Sequence, residues 1–187
     1  MPVVSITLLP GYDADTQARL VSRLGQATRS VIAAPQAGTT VFIHEASTYM
    51  RDGQVMQTGR ASRPVASTLV KAFLQKMEAR DLASASAFLA PGFTMHFPGA
   101  APMHRLEELV AWSKPRYQRV GKTYERFDES WDDEATIVYC FGTLHGVWLD
   151  GTPFEGIRFI DRFEVVDGLF RRQDVWNDMG EVKRAGA

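Results

Sequence analysis

At 187 residues, the chain has room for one large domain or two compact ones. A hydrophobic share of 45% and an aromatic share of 11% suffice for packed cores, and a net charge of -1 leaves no basic field to hold nucleic acid. No apolar run approaches the ~20 residues that span a bilayer, the opening Met1-Pro2-Val3-Val4 lacks the pattern of a secretory signal, and a single cysteine, Cys140, excludes an internal disulfide and a CxxC metal clip, so a cytoplasmic protein is expected.

Pro2 to Leu9 is apolar and β-branched, with the length of a buried strand, and Pro10-Gly11 breaks it. Asp13 or Asp15 then caps a helix in which Leu20, Leu24, Ala27 and Val31 form one apolar stripe. The helix stops near Ala34-Pro35, and Thr39 to Glu45 predicts a second strand. Together they make a right-handed β-α-β unit over residues 1–50, too small to stand without a partner surface. Residues 51–63 read as a polar linker with room for a short hairpin.

A second domain is expected over 64–180. Pro64 suits the first turn of a helix that carries Val65, Leu69, Phe73 and Met77. A short helix over 82–89, a strand over 93–97 and a third helix over 105–117 follow. Four strands then fill 122–130, 135–148, 154–166 and 169–177, joined by turns that include Asp150-Gly151 and Asp167-Gly168. Residues 181–187 read as a tail. The fold class is α+β.

Residues 2–49 resemble the 4-oxalocrotonate tautomerase family, through Pro2, the strand PVVSITLLPG, an arginine-bearing helix, Ala34-Pro35 and the strand TVFIHE. The resemblance implies that Pro2, freed by removal of Met1, is a general base. An α-amino group titrates at about 8, and apolar neighbours lower that further. Where that family places its two substrate arginines, this chain has Tyr12 and Thr40. A phenol can polarise a carbonyl but does not clamp an anion as a guanidinium does. Tyr49 falls about where the family puts an aromatic wall.

Residues 65–180 resemble the nuclear-transport-factor-2-like superfamily, especially SnoaL-like polyketide cyclases and their ketosteroid isomerase and limonene epoxide hydrolase relatives. The segments that carry this are LVKAFLQKMEARDLASASAFLAPGFTMHFPG and IRFIDRFEVVDGLFRRQDVWND. The resemblance implies a cone-shaped domain, a curved sheet wrapped around helices with a pocket between them. The aspartate base of the ketosteroid isomerases is replaced by Phe97, before Pro98. The last-strand aspartate of the epoxide hydrolases is matched by Asp174, without the arginine and aspartate that accompany it. In SnoaL-like cyclases an aspartate near the end of the sheet is the acid/base, a role open to Asp174.

Ile157, Phe159, Asp161, Phe163 and Val165 share one strand face, which sets a carboxylate in an apolar row. Asp161 then reads as a pocket acid, or as the partner of an arginine such as Arg158 or Arg172. Asp174 shares a face with Phe170, Arg172 and Trp176 by simple alternation, and is either an acid/base or a surface ion pair. His96, after Phe93-Thr94-Met95, and His145, beside Thr143 and Val147, are candidate site histidines or satisfied structural ones. Tyr139, Phe141, Trp148, Phe154 and Trp176 are candidate pocket walls or ordinary core. Four scattered histidines give no metal-ligand spacing, so neither metal nor cofactor is expected.

The function this implies is a cofactor-free isomerase or cyclase, moving protons on a small enolisable, polyketide-like carbonyl compound. In one assignment Asp174 or Asp161 acts, with His96, in the second domain, where Tyr139, His145, Trp148, Arg158 and Trp176 bind substrate. In the other, Pro2 is the base, with Tyr12 and Tyr49 beside it, and the second domain is accessory. A non-catalytic binding or scaffold protein is the alternative of another class. The expected partners are a small molecule and further copies of the chain, with no nucleic acid or membrane.

Overall fold

In the computed structural model, which describes residues 1–56 and 62–185 and the side chains of all of these but 183–185, the chain forms two units, Met1–Ser62 and Arg63–Ala187. In the first, strand β1 (Val3–Leu8) and strand β2 (Thr40–Glu45) pair in parallel from Val3↔Thr40 to Leu8↔Glu45, with helix α1 (Ala14–Val31) between them in the chain. Asp13 caps α1, its Oδ1 accepting from Thr16 N at 2.7 Å, which satisfies one of the helix's unpaired N–H groups. Val3 and Phe42, at 63% and 50% exposure, stay open to solvent on this two-stranded sheet.

The segment read as a linker holds a hairpin, β3 (Tyr49–Arg51) and β4 (Gln54–Met56). It turns at Asp52-Gly53, both with positive φ (50° and 75°), as a two-residue turn of the Asp-Gly type requires. The rest of that segment, 57–61, lies outside the described residues.

The second unit runs α2 (Ala66–Glu78), α3 (Leu82–Ser86), β5 (Leu89–His96), α4 (Leu106–Ser113), β6 (Tyr117–Asp132), β7 (Ala135–Trp148), β8 (Pro153–Val166), β9 (Leu169–Asn177) and α5 (Met179–Ala185). The strands form one curved sheet in the order β5-β9-β8-β7-β6, antiparallel except for the β5–β9 pair. Three elements differ from expectation. Strand β5 begins at Leu89 and crosses Pro91-Gly92, where a helix end was expected. Its register shifts between Leu89 and Thr94 and Gly92 takes φ 78°, so the proline falls in a bulge that needs no N–H. Strand β6 begins at Tyr117, inside the expected third helix, and α5 occupies most of the expected tail.

Helices α2 and α4 pack into the concave side of the sheet. Phe73 of α2 meets Phe163 and Phe170 edge to face, with ring centroids 5.9 and 5.2 Å apart, in a core that also holds Val70, Met95 and Leu106. Sheet curvature demands close backbone approach at Gly142, where a Cβ would lie 2.0 Å from the Thr123 carbonyl oxygen. Only glycine fits there.

One irregularity decides which way the last strand faces. On β8, consecutive residues Glu164 and Val165 pair with Arg172 and Phe170, so β9 carries an extra residue, Arg171. The bulge reverses the parity of β9. Phe170 lies in the core, while Arg172, Asp174 and Trp176 turn to the convex side and Gln173, Val175 and Asn177 to the concave one. Among the described residues, no helix is long and apolar enough to cross a membrane.

Candidate active site

Strand β8 keeps strict alternation from Ile157 to Val165, so Asp161 is carried into the concave side and is fully buried. Lys122 reaches it from β6: its Nζ donates to Asp161 Oδ2 and lies 4.5 Å from the centroid of the Phe159 ring. Asp161 Oδ1 is equally buried and accepts from no donor among the described residues. A buried acceptor left open is costly, so its persistence invites a ligand as the missing partner. Asp161 stands opposite Cys140 on β7, whose thiol is pushed up to about 12 by burial and by the Asp161 charge, with Lys122 and Lys71 opposing. Cys140 is thus a packed neutral thiol.

The pair borders a cavity of about 130 Å³. Phe73, Met77, Glu78 and Arg80 come from α2 and its end, Phe97 from beyond β5, Trp112 and Ser113 from α4, and Tyr117 and Tyr124 from β6. Phe159, Gln173, Val175, Asn177 and Met179 complete it. Phe97 and Trp112 stand 5.4 Å apart, and Tyr124 meets Phe159 edge to face at 6.2 Å. The Tyr124 hydroxyl donates to Glu78 Oε1 at 2.9 Å. Burial, and then that bond, raise its pKa far above the phenol range, so it is a neutral donor at any working pH. Tyr117 is likewise raised by burial, opposed by Ser113 and by the charges of Arg80 and Arg116. The arrangement offers one ion pair with an open oxygen, two neutral phenols and aromatic walls, groups able to move a proton next to a carbonyl.

Asp161 is the only residue of the expected site set that borders this cavity among the described residues. The arginines considered as its partners bind elsewhere, Arg158 Nε to Asp178 Oδ2 at 2.6 Å and Arg172 Nε to Asp174 Oδ1 at 2.8 Å. Asp174 lies on the convex side because of the Arg171 bulge. There it is held by Arg172, by Arg162 at 3.4 Å, and by His96, whose Nδ1 sits 3.1 Å from Oδ1 but off the line of a hydrogen bond. Trp176, 54% exposed, borders a convex-side groove with Phe141, Arg158 and Ile160. Tyr139 packs on a small cluster of Ala135, Ile137 and Val166, and His145 is exposed beside Thr123, its Nδ1 3.4 Å from the hydroxyl. Trp148 stacks on Phe154 at 4.3 Å within the core packing.

Pro2, Tyr12 and Tyr49 belong to the first unit. The Pro2 carbonyl accepts from Thr40 N at 3.1 Å. The Tyr12 carbonyl accepts from the Gln17 side chain, and Arg51 lies 5.5 Å from the Tyr49 ring centroid. Lys122, Tyr124, Glu78 and Trp112 were not singled out from the sequence. Lys122 had a readable signal, since it interrupts Val120 and Tyr124 on one strand face just as Asp161 interrupts its own row. Among the described residues, no three His, Cys, Asp or Glu side chains converge as metal ligands.

The SnoaL-like domain family matches residues 70–173. An NTF2-like protein from Burkholderia pseudomallei superposes with a TM-score of 0.55 at 18% identity, covering 64% of this chain and 95% of that one. TerC, co-crystallized with polyporic acid, gives 0.55 at 16% identity over 64% and 95%. ActVI-ORFA from Streptomyces coelicolor gives 0.50 at 15% identity over 60% and 94%. These likenesses bear on the fold, which is the mixed α+β cone with a curved sheet and packed helices. No curated protein matches the chain.

Proposed function

The chain belongs to the SnoaL-like domain family through residues 70–173, and on that premise we propose a cofactor-free isomerase or cyclase that moves protons on a small enolisable carbonyl compound of polyketide type. The observation that supports it is the buried Asp161, with one oxygen held by Lys122 and the other open in an aromatic cavity. In the reaction, Asp161 Oδ1 accepts the proton from the carbon next to the carbonyl. The C–H electron pair becomes the C=C bond of an enolate, whose oxygen the Lys122 ammonium stabilises. Return of the proton to a different carbon of a conjugated enolate completes an isomerisation; attack of the enolate carbon on a second carbonyl closes a ring, its C=O π pair going to oxygen, which takes the proton back from Asp161. TerC, a neighbour in fold, was crystallized with an organic acid, which fits a small-molecule site in such a cone.

The discriminating experiment is α-proton exchange of aromatic methyl ketones into deuterated water, followed by NMR, in wild type, Asp161→Asn and Asp174→Asn. Loss confined to Asp174→Asn moves the chemistry to the convex side. No exchange by wild type on any ketone favours a binding or scaffold protein.

A second reading rests on the parallel β1-α1-β2 unit headed by Pro2, which fits a tautomerase-like unit with a prolyl base. Its nitrogen is basic only if Met1 is removed. This reading expects an intact mass lacking methionine and a roughly 10²-fold or greater loss of tautomerase activity in Pro2→Ala. Retained methionine with full activity ends it.

We also read the protein as a homo-oligomer. Val3 and Phe42 on the first unit's sheet, and Ile160 and Trp176 on the cone sheet, are apolar side chains left in water. A monomeric mass by light scattering at micromolar concentration would rule this out.

A further inference from the structure

The charges around the cavity do not cancel. Lys122 and Asp161 neutralise each other, while the Glu78 carboxylate, held by the neutral Tyr124 hydroxyl, keeps its own charge. Against it stand two guanidinium groups, Arg80 and Arg116, neither of which makes an ion pair among the described residues, so the balance is positive. Arg80 borders the cavity and is placed by the end of α2, where it takes the left-handed conformation (φ 60°) with its N–H on the Met77 carbonyl. Arg116 follows α4, its guanidinium 4.1 Å from the centroid of the Trp112 ring, another wall of the same cavity. Tyr117 borders the same cavity, and its phenol feels both charges. Two forked donors next to a hydroxyl form a receiver for a planar anion, and a guanidinium stacked on indole is already oriented.

We propose that the substrate is anionic: an aromatic carbonyl compound bearing a carboxylate, which Arg80 and Arg116 receive beside Tyr117 while the carbonyl end turns to Asp161. This rests on the reading of the Asp161 cavity as the active site and adds the class of molecule it takes. A neutral ketone would leave the two guanidinium groups to water, and a cation would be repelled.

The test uses two probes that differ in charge and by one methyl group, 6-acetyl-2-naphthoate and its methyl ester, titrated calorimetrically into the full chain. Wild type should bind the acid about tenfold or more tightly than the ester, the scale of a charge-assisted contact. Arg80→Gln/Arg116→Gln should bind both alike with an unchanged melting temperature, and Arg80→Lys/Arg116→Lys should keep part of the preference. Equal affinities in wild type, no binding of either probe, or a preference that survives the glutamine pair would overturn the proposal. Its failure is separable from that of the acid–base reading. A charge preference without Asp161-dependent proton exchange keeps the anion receiver and removes the catalytic role. Exchange that needs Asp161 but ignores the carboxylate does the reverse.

Discussion

Asp161→Asn is expected to lower proton-exchange turnover by about 10²–10⁴-fold, with both kcat and kcat/KM reduced and probe affinity retained. Asparagine preserves the volume and an oxygen for Lys122, but its amide cannot accept and return a proton. The fold should tolerate the change, because the Lys122 side chain is 20% exposed and its ammonium keeps some access to water. Asp174→Asn is the contrasting case. It loosens the ties to Arg172, Arg162 and His96 on the convex side, so it should lower the melting temperature and leave turnover per folded molecule intact. Melting temperature and exchange rate measured on one preparation separate the two. A fully active Asp161→Asn would remove the cavity as the site of proton transfer.

These contrasting carboxylates also show where sequence reading succeeds and where it stops. Asp161 was legible because β8 runs from Ile157 to Val165 without a bulge, so period-two alternation assigns its face correctly. The same rule misassigns Asp174, since the extra residue Arg171 flips everything after Phe170 to the other side. Nothing in the local composition announces that bulge. The cavity walls were missed for a different reason. Phe73 and Trp112 belong to helices, and whether a helical aromatic faces core or cavity depends on how the helix crosses the sheet. The strand aromatics that looked like walls, Tyr139, Phe141 and Trp176, instead lie on the convex side. In the cone, most strand boundaries followed from β-branched runs and Asp-Gly turns. Pro91-Gly92, read as the end of a helix, proved to be a bulge within a strand.

The second large effect concerns stability. Lys122→Met should destabilise the cone domain by about 3–5 kcal/mol at neutral pH, because it leaves the Asp161 carboxylate buried with neither counter-ion nor donor. Methionine replaces most of the lysine stem in volume and can still pack on Phe159, so lost charge compensation, not a cavity, is the source of the loss. Asp161→Asn/Lys122→Met removes the uncompensated charge and should recover most of the stability, giving a coupling energy well outside the additivity expected of independent sites. Turnover should not recover in the double variant, since the proton acceptor is gone. Denaturant unfolding of the four proteins, followed by the tryptophan fluorescence to which Trp112 contributes, measures the cycle. If Lys122→Met alone stayed within about 1 kcal/mol of wild type, Asp161 would not be an ionised buried group held by Lys122. The base assigned to the cavity would then already carry a proton, and the direction of proton transfer would have to be reversed, with Asp161 donating first.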